Sequence, residues 1–397
     1  MRALLTLERK NRSGRLLERR DEYSHSFTHY LMELLYICHA QIQYAAGRGV
    51  YQVDGSYRAI DSQYFTGNNA RAHRNTLIVA APAGNGEVWV GGESVASGSS
   101  GCLSPGVQSL LPGELIGIQV GSSNQPVTPQ DRYLIERIPH GQRTPVSPAA
   151  SLDAVITGDN NQIYTGSGNW NGMYIISKRQ MVITSIKLLL YRSSSLPGVI
   201  TLQILSAYSV SGPSIGLSTL LATATSNGDT LPTGAPYEWR EFILGSPVLM
   251  LPGMGYHVRI SPAGPGGLYW RANYTTNIAY TTYPRTWNTM GSYQYNYVLL
   301  YDLYGTTPRE IEYGSCEVSG LSVVNPNASF IIRRLFTNNS GGDVTVRECG
   351  IYAGSSWSPS GYSGSFPLCI CRDVVSPDIV VANGEVLAVT YTPQITV

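Results

Sequence analysis

The chain has 397 residues, 43% of them apolar, which is enough material for two or three packed domains and excludes a chain disordered by composition. Net charge is +1 and only 13% of residues are charged, which argues against nucleic acid as a main partner. No apolar run approaches the ~20 residues that span a bilayer, charge follows Met1 too soon for a secretory leader, and six scattered cysteines do not make a disulfide scaffold.

Tyr outnumbers Phe by 27 to 6, and Gly (42) and Pro (23) are abundant. That bias favours strands, turns and half-polar contact surfaces. Along the chain, 2–9 and 15–21 read as strands joined by a turn at Asn11, Arg12, Ser13 and Gly14, a hairpin over 2–21. Seven basic residues fall in the first 20 (Arg2, Arg9, Lys10, Arg12, Arg15, Arg19, Arg20). Their alternation with leucines fits the polar face of that hairpin better than a nucleic-acid arm. Phe27, Leu31, Leu34, Leu35, Cys38 and Ile42 recur at helical spacing and predict a helix over 26–43. From 50 to 141 short strands alternate with loops, including 76–81, 87–91 and 114–120, with a Gly/Ser loop over 91–105.

The stretch 142–150 carries two prolines and no periodicity, and reads as a linker with a matching exit at 305–309. Between them, 151–305 is a chain of strand patterns: 181–191, 198–205, 237–244, 255–260 and 267–271. Their spacing predicts an inserted antiparallel β-sandwich, jelly-roll-like in form. The last part, 310–397, gives further antiparallel strands over 310–318, 329–336, 344–352, 368–375 and 386–392. The fold class expected is mainly β, a discontinuous domain (1–145 with 308–397) interrupted by the 151–305 module.

Catalytic signatures are missing: no Gly-x-Ser-x-Gly elbow, no His-Glu-x-x-His and no phosphate loop. Glu238 and Glu241 fall on opposite faces of one strand and cannot pair across a cleft. His25 and His29 at i, i+4 fit solvent-facing residues better than metal ligands. Cys349, Cys369 and Cys371 fit small buried residues better than zinc ligands, and Asp153, Asp159, Asp229 and Asp302 fit solvated loop acids better than a calcium site. No enzyme, cofactor or metal is expected. Aromatics concentrate late in the insert, and sugars stack their apolar C–H faces on such rings. Trp270, Tyr274, Tyr280, Tyr283, Trp287 and Tyr293 are therefore the candidate glycan contacts. Core packing along 293–297 competes with that reading, and Trp239, inside a regular strand, is expected in the core.

The outer segments resemble a family of tailed-bacteriophage virion proteins. Gly117-Ile-Gln-Val-Gly-Ser-Ser-Asn-Gln-Pro-Val-Thr-Pro-Gln-Asp-Arg-Tyr-Leu with Ile138-Pro-His-Gly141 is similar to the family's first half. Phe336-Thr-Asn-Asn-Ser-Gly-Gly-Asp-Val-Thr-Val-Arg-Glu-Cys-Gly-Ile-Tyr352 is similar to its second, which Cys371-Arg-Asp-Val-Val-Ser-Pro-Asp-Ile-Val-Val-Ala-Asn-Gly384 and Val389-Thr-Tyr-Thr392 complete. The resemblance covers about 230 residues and implies a non-enzymatic virion component such as a head decoration, an appendage or a tail-associated protein. Its partners would be other virion proteins and itself, as a trimer or ring. The insert resembles β-sandwich modules of viral and surface proteins, some of them carbohydrate-binding, which leaves open a second role as an adhesin for host-surface glycans. The location implied is the virion, after synthesis in the host cytoplasm.

Overall fold

The computed structural model describes residues 2–24, 27–28, 31, 49–51, 57–59, 79–81, 83, 87–90, 109–128, 131, 133–157, 161–207, 219–252, 254–274, 286–288, 293–294, 297–324, 326–357 and 364–396. The chain divides into two compact units, Met1–Pro145 with Pro308–Val397 (unit 1) and Val146–Thr307 (unit 2). Both are built of antiparallel β-sheet.

Unit 1 opens with β1 (Arg2–Lys10), β2 (Leu16–Ser24), β3 (Gly49–Tyr51), β4 (Tyr57–Ala59), β5 (Glu87–Val90), β6 (Ser109–Pro112) and β7 (Gly117–Gly121). Unit 2 holds β8 (Val146–Val155), β9 (Asn161–Thr165), β10 (Asn171–Ile176), β11 (Met181–Arg192), β12 (Val199–Ala207), β13 (Leu220–Asn227) and β14 (Glu238–Met250). It continues with β15 (Gly255–Pro262), β16 (Leu268–Tyr274), β17 (Thr286–Asn288), β18 (Tyr293–Gln294), β19 (Tyr297–Leu299) and β20 (Tyr301–Thr307). Unit 1 then resumes as β21 (Glu312–Val324), β22 (Asn327–Thr337), β23 (Val344–Trp357), β24 (Gly364–Val381) and β25 (Val386–Thr396).

The main sheet of unit 1 runs β2-β1-β25-β22-β21, so the last strand lies beside the first. The hairpin follows from its sequence. Ala3, Leu5 and Leu7 alternate into the core at 0–1% exposure, and burying each leucine stabilises by roughly 2 kcal/mol. At the turn, Asn11 Oδ1 accepts from the Ser13 and Arg15 amides at 3.1 and 2.9 Å, while Gly14 takes φ +82°, which a side chain would resist. A second sheet, β24-β23-β7, joins the two sequence-distant halves of the unit.

Segments of unit 1 far apart in sequence interlock here through buried charge. Arg372 Nε and Nη1 each sit 2.7 Å from a carboxylate, Glu348 and Asp131. Glu348 also accepts from the amides of Ile135 and Glu136 at 3.2 and 2.8 Å. A Cβ on Gly121 would come within 2.4 Å of the Glu348 carboxylate, so only glycine fits beside it. Arg334, with no exposed surface, donates to the carbonyls of Gly113, Ile116, Ile118 and Gly314 at 2.7–3.0 Å. Arg137 pairs with Glu114 at 3.2 Å. Removing any one partner would leave a buried charge exposed to a low-dielectric interior, the costly case.

Unit 2 is β-sandwich-like. One sheet runs β13-β12-β15-β10-β17-β18; the other runs β19-β16-β11-β20-β8, with β14 on β11 and β9 on β16. Both feed one core: Met173, Ile200, Leu202, Tyr256, Val258 and Ile260 from the first, Ile186, Leu188, Leu190, Phe242, Trp270 and Leu303 from the second.

Several expectations need correction. The stretch 146–150 is not linker but the start of β8; Pro148 is tolerated because β8 ends its sheet and needs no donor on its free side. At the expected helix start, Phe27 forms an extended bridge to Cys371, and the Thr28 amide donates to Ile370 O at 3.1 Å. Leu31 is helical; the rest of the helix expected over 26–43 lies outside the described residues, as does the loop expected over 91–105. The segment 114–120 begins as a 3-10 turn, Gly113–Leu115, before β7. The jelly-roll form expected for the insert is finer than the antiparallel β architecture seen. No described helix is long and apolar enough to cross a membrane.

Candidate functional site on an outer sheet face of unit 2

In unit 2 the six-stranded sheet turns Met173, Leu202, Val258 and Ile260 to the core. Alternation sends Gln203, His257 and Arg259 to the opposite, outer face. There the ladder registers cross five strands in one row. Gln203 pairs with Arg259, Arg259 with Gly172, Gly172 with Trp287, and Trp287 with Tyr293. Two of the sequence-nominated positions, 287 and 293, thus fall in one row with an arginine. Their side chains lie outside the described residues.

Trp170, half-buried just before β10, forms one wall of this face. The Arg259 guanidinium carbon lies 5.4 Å from its ring centre, and the His257 ring meets it edge-on at 5.2 Å. Arg259 Nε donates to Gln203 Oε1 at 2.8 Å. No carboxylate among the described residues pairs with Arg259, and burial pulls its pKa below the ordinary arginine value with no acid to raise it back. His257 is 2% exposed, and its Nε2 finds no hydrogen-bond partner among the described residues. Burial, reinforced by the Arg259 charge, drops its pKa to about 3, so the ring is neutral. A Cβ at Gly172 would come within 2.5 Å of that nitrogen, and the missing side chain lets the ring lie across β10. Beyond the row, Thr201, Thr223, Thr225 and Ser261 extend the face with uncharged hydroxyls by the same alternation.

Of the other nominated residues, only Trp270 has a described side chain, and it does not join this face. Trp270 is 0% exposed inside the core, and its indole N–H donates to Leu300 O at 2.9 Å, so it is a packing residue rather than a sugar contact. Tyr274 ends β16 with its side chain outside the described residues, and Tyr280 and Tyr283 lie outside them entirely. Trp239 reverses the other way: expected in the core, it is 36% exposed on the outer side of β14, because Phe242 and Leu244 take the inward positions.

The opposite outer face of unit 2 carries an aromatic row that sequence reading missed. Tyr237, Tyr191, Tyr269 and Tyr164 come from four separate segments, with ring centres 5.1, 4.6 and 5.1 Å apart in succession. The central pair is stacked at 7°. Arg271 sits 4.2 Å over Tyr237 and donates to Gln162, which the Tyr191 hydroxyl also bonds. These rings cover one another's faces and act as a cross-strand ladder. Their separations in sequence gave no sign of it; the pairing of β11 with β16 and β14, and of β16 with β9, brings them together.

Cys316, Cys349, Cys369 and Cys371 are buried free thiols whose pKa values burial pushes up, which disfavours the thiolate. Among the described residues no group of three or more His, Cys, Asp or Glu side chains could hold a metal ion. No protein-family model matches the chain, and no curated protein matches it.

Proposed function

We propose that the chain is a non-enzymatic structural component of a tailed-phage virion, with unit 1 as the mounting part and unit 2 as a displayed, jelly-roll-like module. One observation carries the assembly part of this reading. The β21–β22 hairpin exposes Leu321, Val323 and Val324 at 78, 74 and 68%. β21 is also the last strand of its sheet; Ala81 bridges its outer edge at Cys316, and from Glu317 to Val324 that edge has no backbone partner among the described residues. An apolar free edge is a hazard for a lone molecule and an asset for one built into an assembly. The partners proposed are other virion proteins and further copies of this chain, in a trimer or ring. The carboxylates Glu238 and Glu241 support a non-enzymatic role, since Arg240 and Ser185 already occupy them at 2.6 and 2.7 Å. The test is mass spectrometry and antibody labelling of purified particles of the encoding phage. The chain should be present at stoichiometric levels, and its absence from the particles would overturn the proposal.

A second reading has its own support. The row through Gln203, Arg259, Gly172, Trp287 and Tyr293, walled by Trp170, has the aromatic and polar make-up of a glycan-binding face. On this reading unit 2 grips host-surface glycans while unit 1 mounts it.

A further inference from the structure

We propose that the outer face of the six-stranded sheet in unit 2 binds an acidic sugar, with Arg259 as counter-ion to its carboxylate and Trp170 as its stacking wall. The inference rests on the glycan reading of that face and narrows it to a chemical class.

The other described arginines of unit 2 are already held. Arg179 donates to Leu152 O, Arg192 to the carbonyls of Leu231, Ser193 and Ser194, and Arg240 to Glu238 and Asn227 O. Arg271 is held by Gln162 and Tyr237. Arg259 alone of these has two terminal nitrogens that bond nothing among the described residues, its one acceptor being Gln203 at Nε. A half-buried guanidinium without an anion loses hydration for little return. An incoming carboxylate would meet the free edge of the fork in the geometry that suits it, as a charge-assisted, two-pronged pair.

The surroundings say what carries that carboxylate. Trp170 offers an indole ring beside the guanidinium, suited to the C–H face of a pyranose. His257 Nε2 is a buried polar atom without a described partner, the kind of group whose survival calls for one. A neutral imidazole nitrogen there serves a sugar hydroxyl or a water that bridges to it. The hydroxyls of Thr201, Thr223, Thr225 and Ser261 extend the same face without adding charge. A polyanionic nucleic acid would need many cations along its track, and this row supplies one.

The full chain is titrated with polygalacturonate fragments and sialyllactose as carboxylate-bearing probes, and with maltohexaose and chitohexaose as neutral ones. We expect binding of at least one acidic probe, weakening with salt. Arg259→Gln should reduce it by about ten-fold or more, the loss expected for one charge-assisted pair, with its unfolding transition unchanged, and Trp170→Ala, read where the variant remains folded, should reduce it too. If neutral probes bind and Arg259→Gln changes nothing, the acidic assignment is overturned while the glycan reading stands. If no probe of either kind binds, both fall.

Discussion

In unit 1 the buried arginines reach paired acceptors: Arg372 two carboxylates, Arg334 four backbone carbonyls, Arg137 the carboxylate of Glu114. In unit 2, Arg259 and His257 sit side by side with polar atoms that nothing described completes. The two regions share a β architecture and differ in what charge is for. Charge that the chain itself satisfies fixes register and joins distant segments, as Arg372 does between 125–131 and β23. Charge left unsatisfied in a folded unit costs stability, and a bound partner is what would offset it.

That contrast can be broken in several places. The largest effect is expected for Glu348→Ala, which strands Arg372 in the core and should destabilise unit 1 by about 3–5 kcal/mol, read by hydrogen exchange on unit 1 amides. Little or no loss would show that the network is dispensable. Trp270→Ala should cost a similar ~3–5 kcal/mol in unit 2 through the cavity it leaves; an unchanged unit 2 would return Trp270 to the candidate ligand contacts. The pH response of individual groups should come next. His257 is neutral when folded, with a pKa near 3, whereas the unfolded chain takes up a proton below its ordinary 6.5. Its contribution is complete above about pH 6.5 and is lost on acidification down to about 3, at up to ~1.4 kcal/mol per pH unit. Asp131 behaves as an acid held low: burial works upward, but hydrogen bonds from Thr128 and Arg372 outweigh it. The Asp131 contribution to unit 1 should therefore be lost only as pH falls below the ordinary carboxylate value of 3.8, whereas half-buried His140, its pKa lowered by burial, adds a loss that begins below 6.5. Hydrogen exchange on unit 2 amides between pH 7 and 4 reads the His257 share, and His257→Asn should flatten that response; an unchanged profile would contradict it.

Much of the strand content was legible because alternation is a local signal. Ala3, Leu5 and Leu7 write β1, and 181–191 matches β11 to within a residue. Local pattern failed where tertiary position overrides it. β21 runs to Val324 although Ser319, Gly320 and Ser322 interrupt its apolar pattern, because β22 holds it in register to Asn327. Pro148 disguised β8, which tolerates it only as an edge. Trp270 and Trp239 exchanged their expected roles because composition marks an aromatic cluster without saying which side of a strand faces the core. Gln203, His257, Arg259 and Trp170 were not nominated at all. Three stretches of sequence supply them and each is ordinary in type; what sets His257 and Arg259 apart is a hydrogen-bonding capacity that nothing described fills, visible only in the folded sheet.

The most direct test sets Arg259→Gln beside Arg372→Gln in the full chain and measures affinity for the acidic-sugar probe under conditions where both remain folded. Arg259→Gln should bind about ten-fold more weakly or worse while unfolding like the parent. Arg372→Gln should keep parental affinity while unfolding about 3–5 kcal/mol more easily. Equal affinities in the two variants, or a stability loss at Arg259 as large as that at Arg372, would contradict the division of roles between the units.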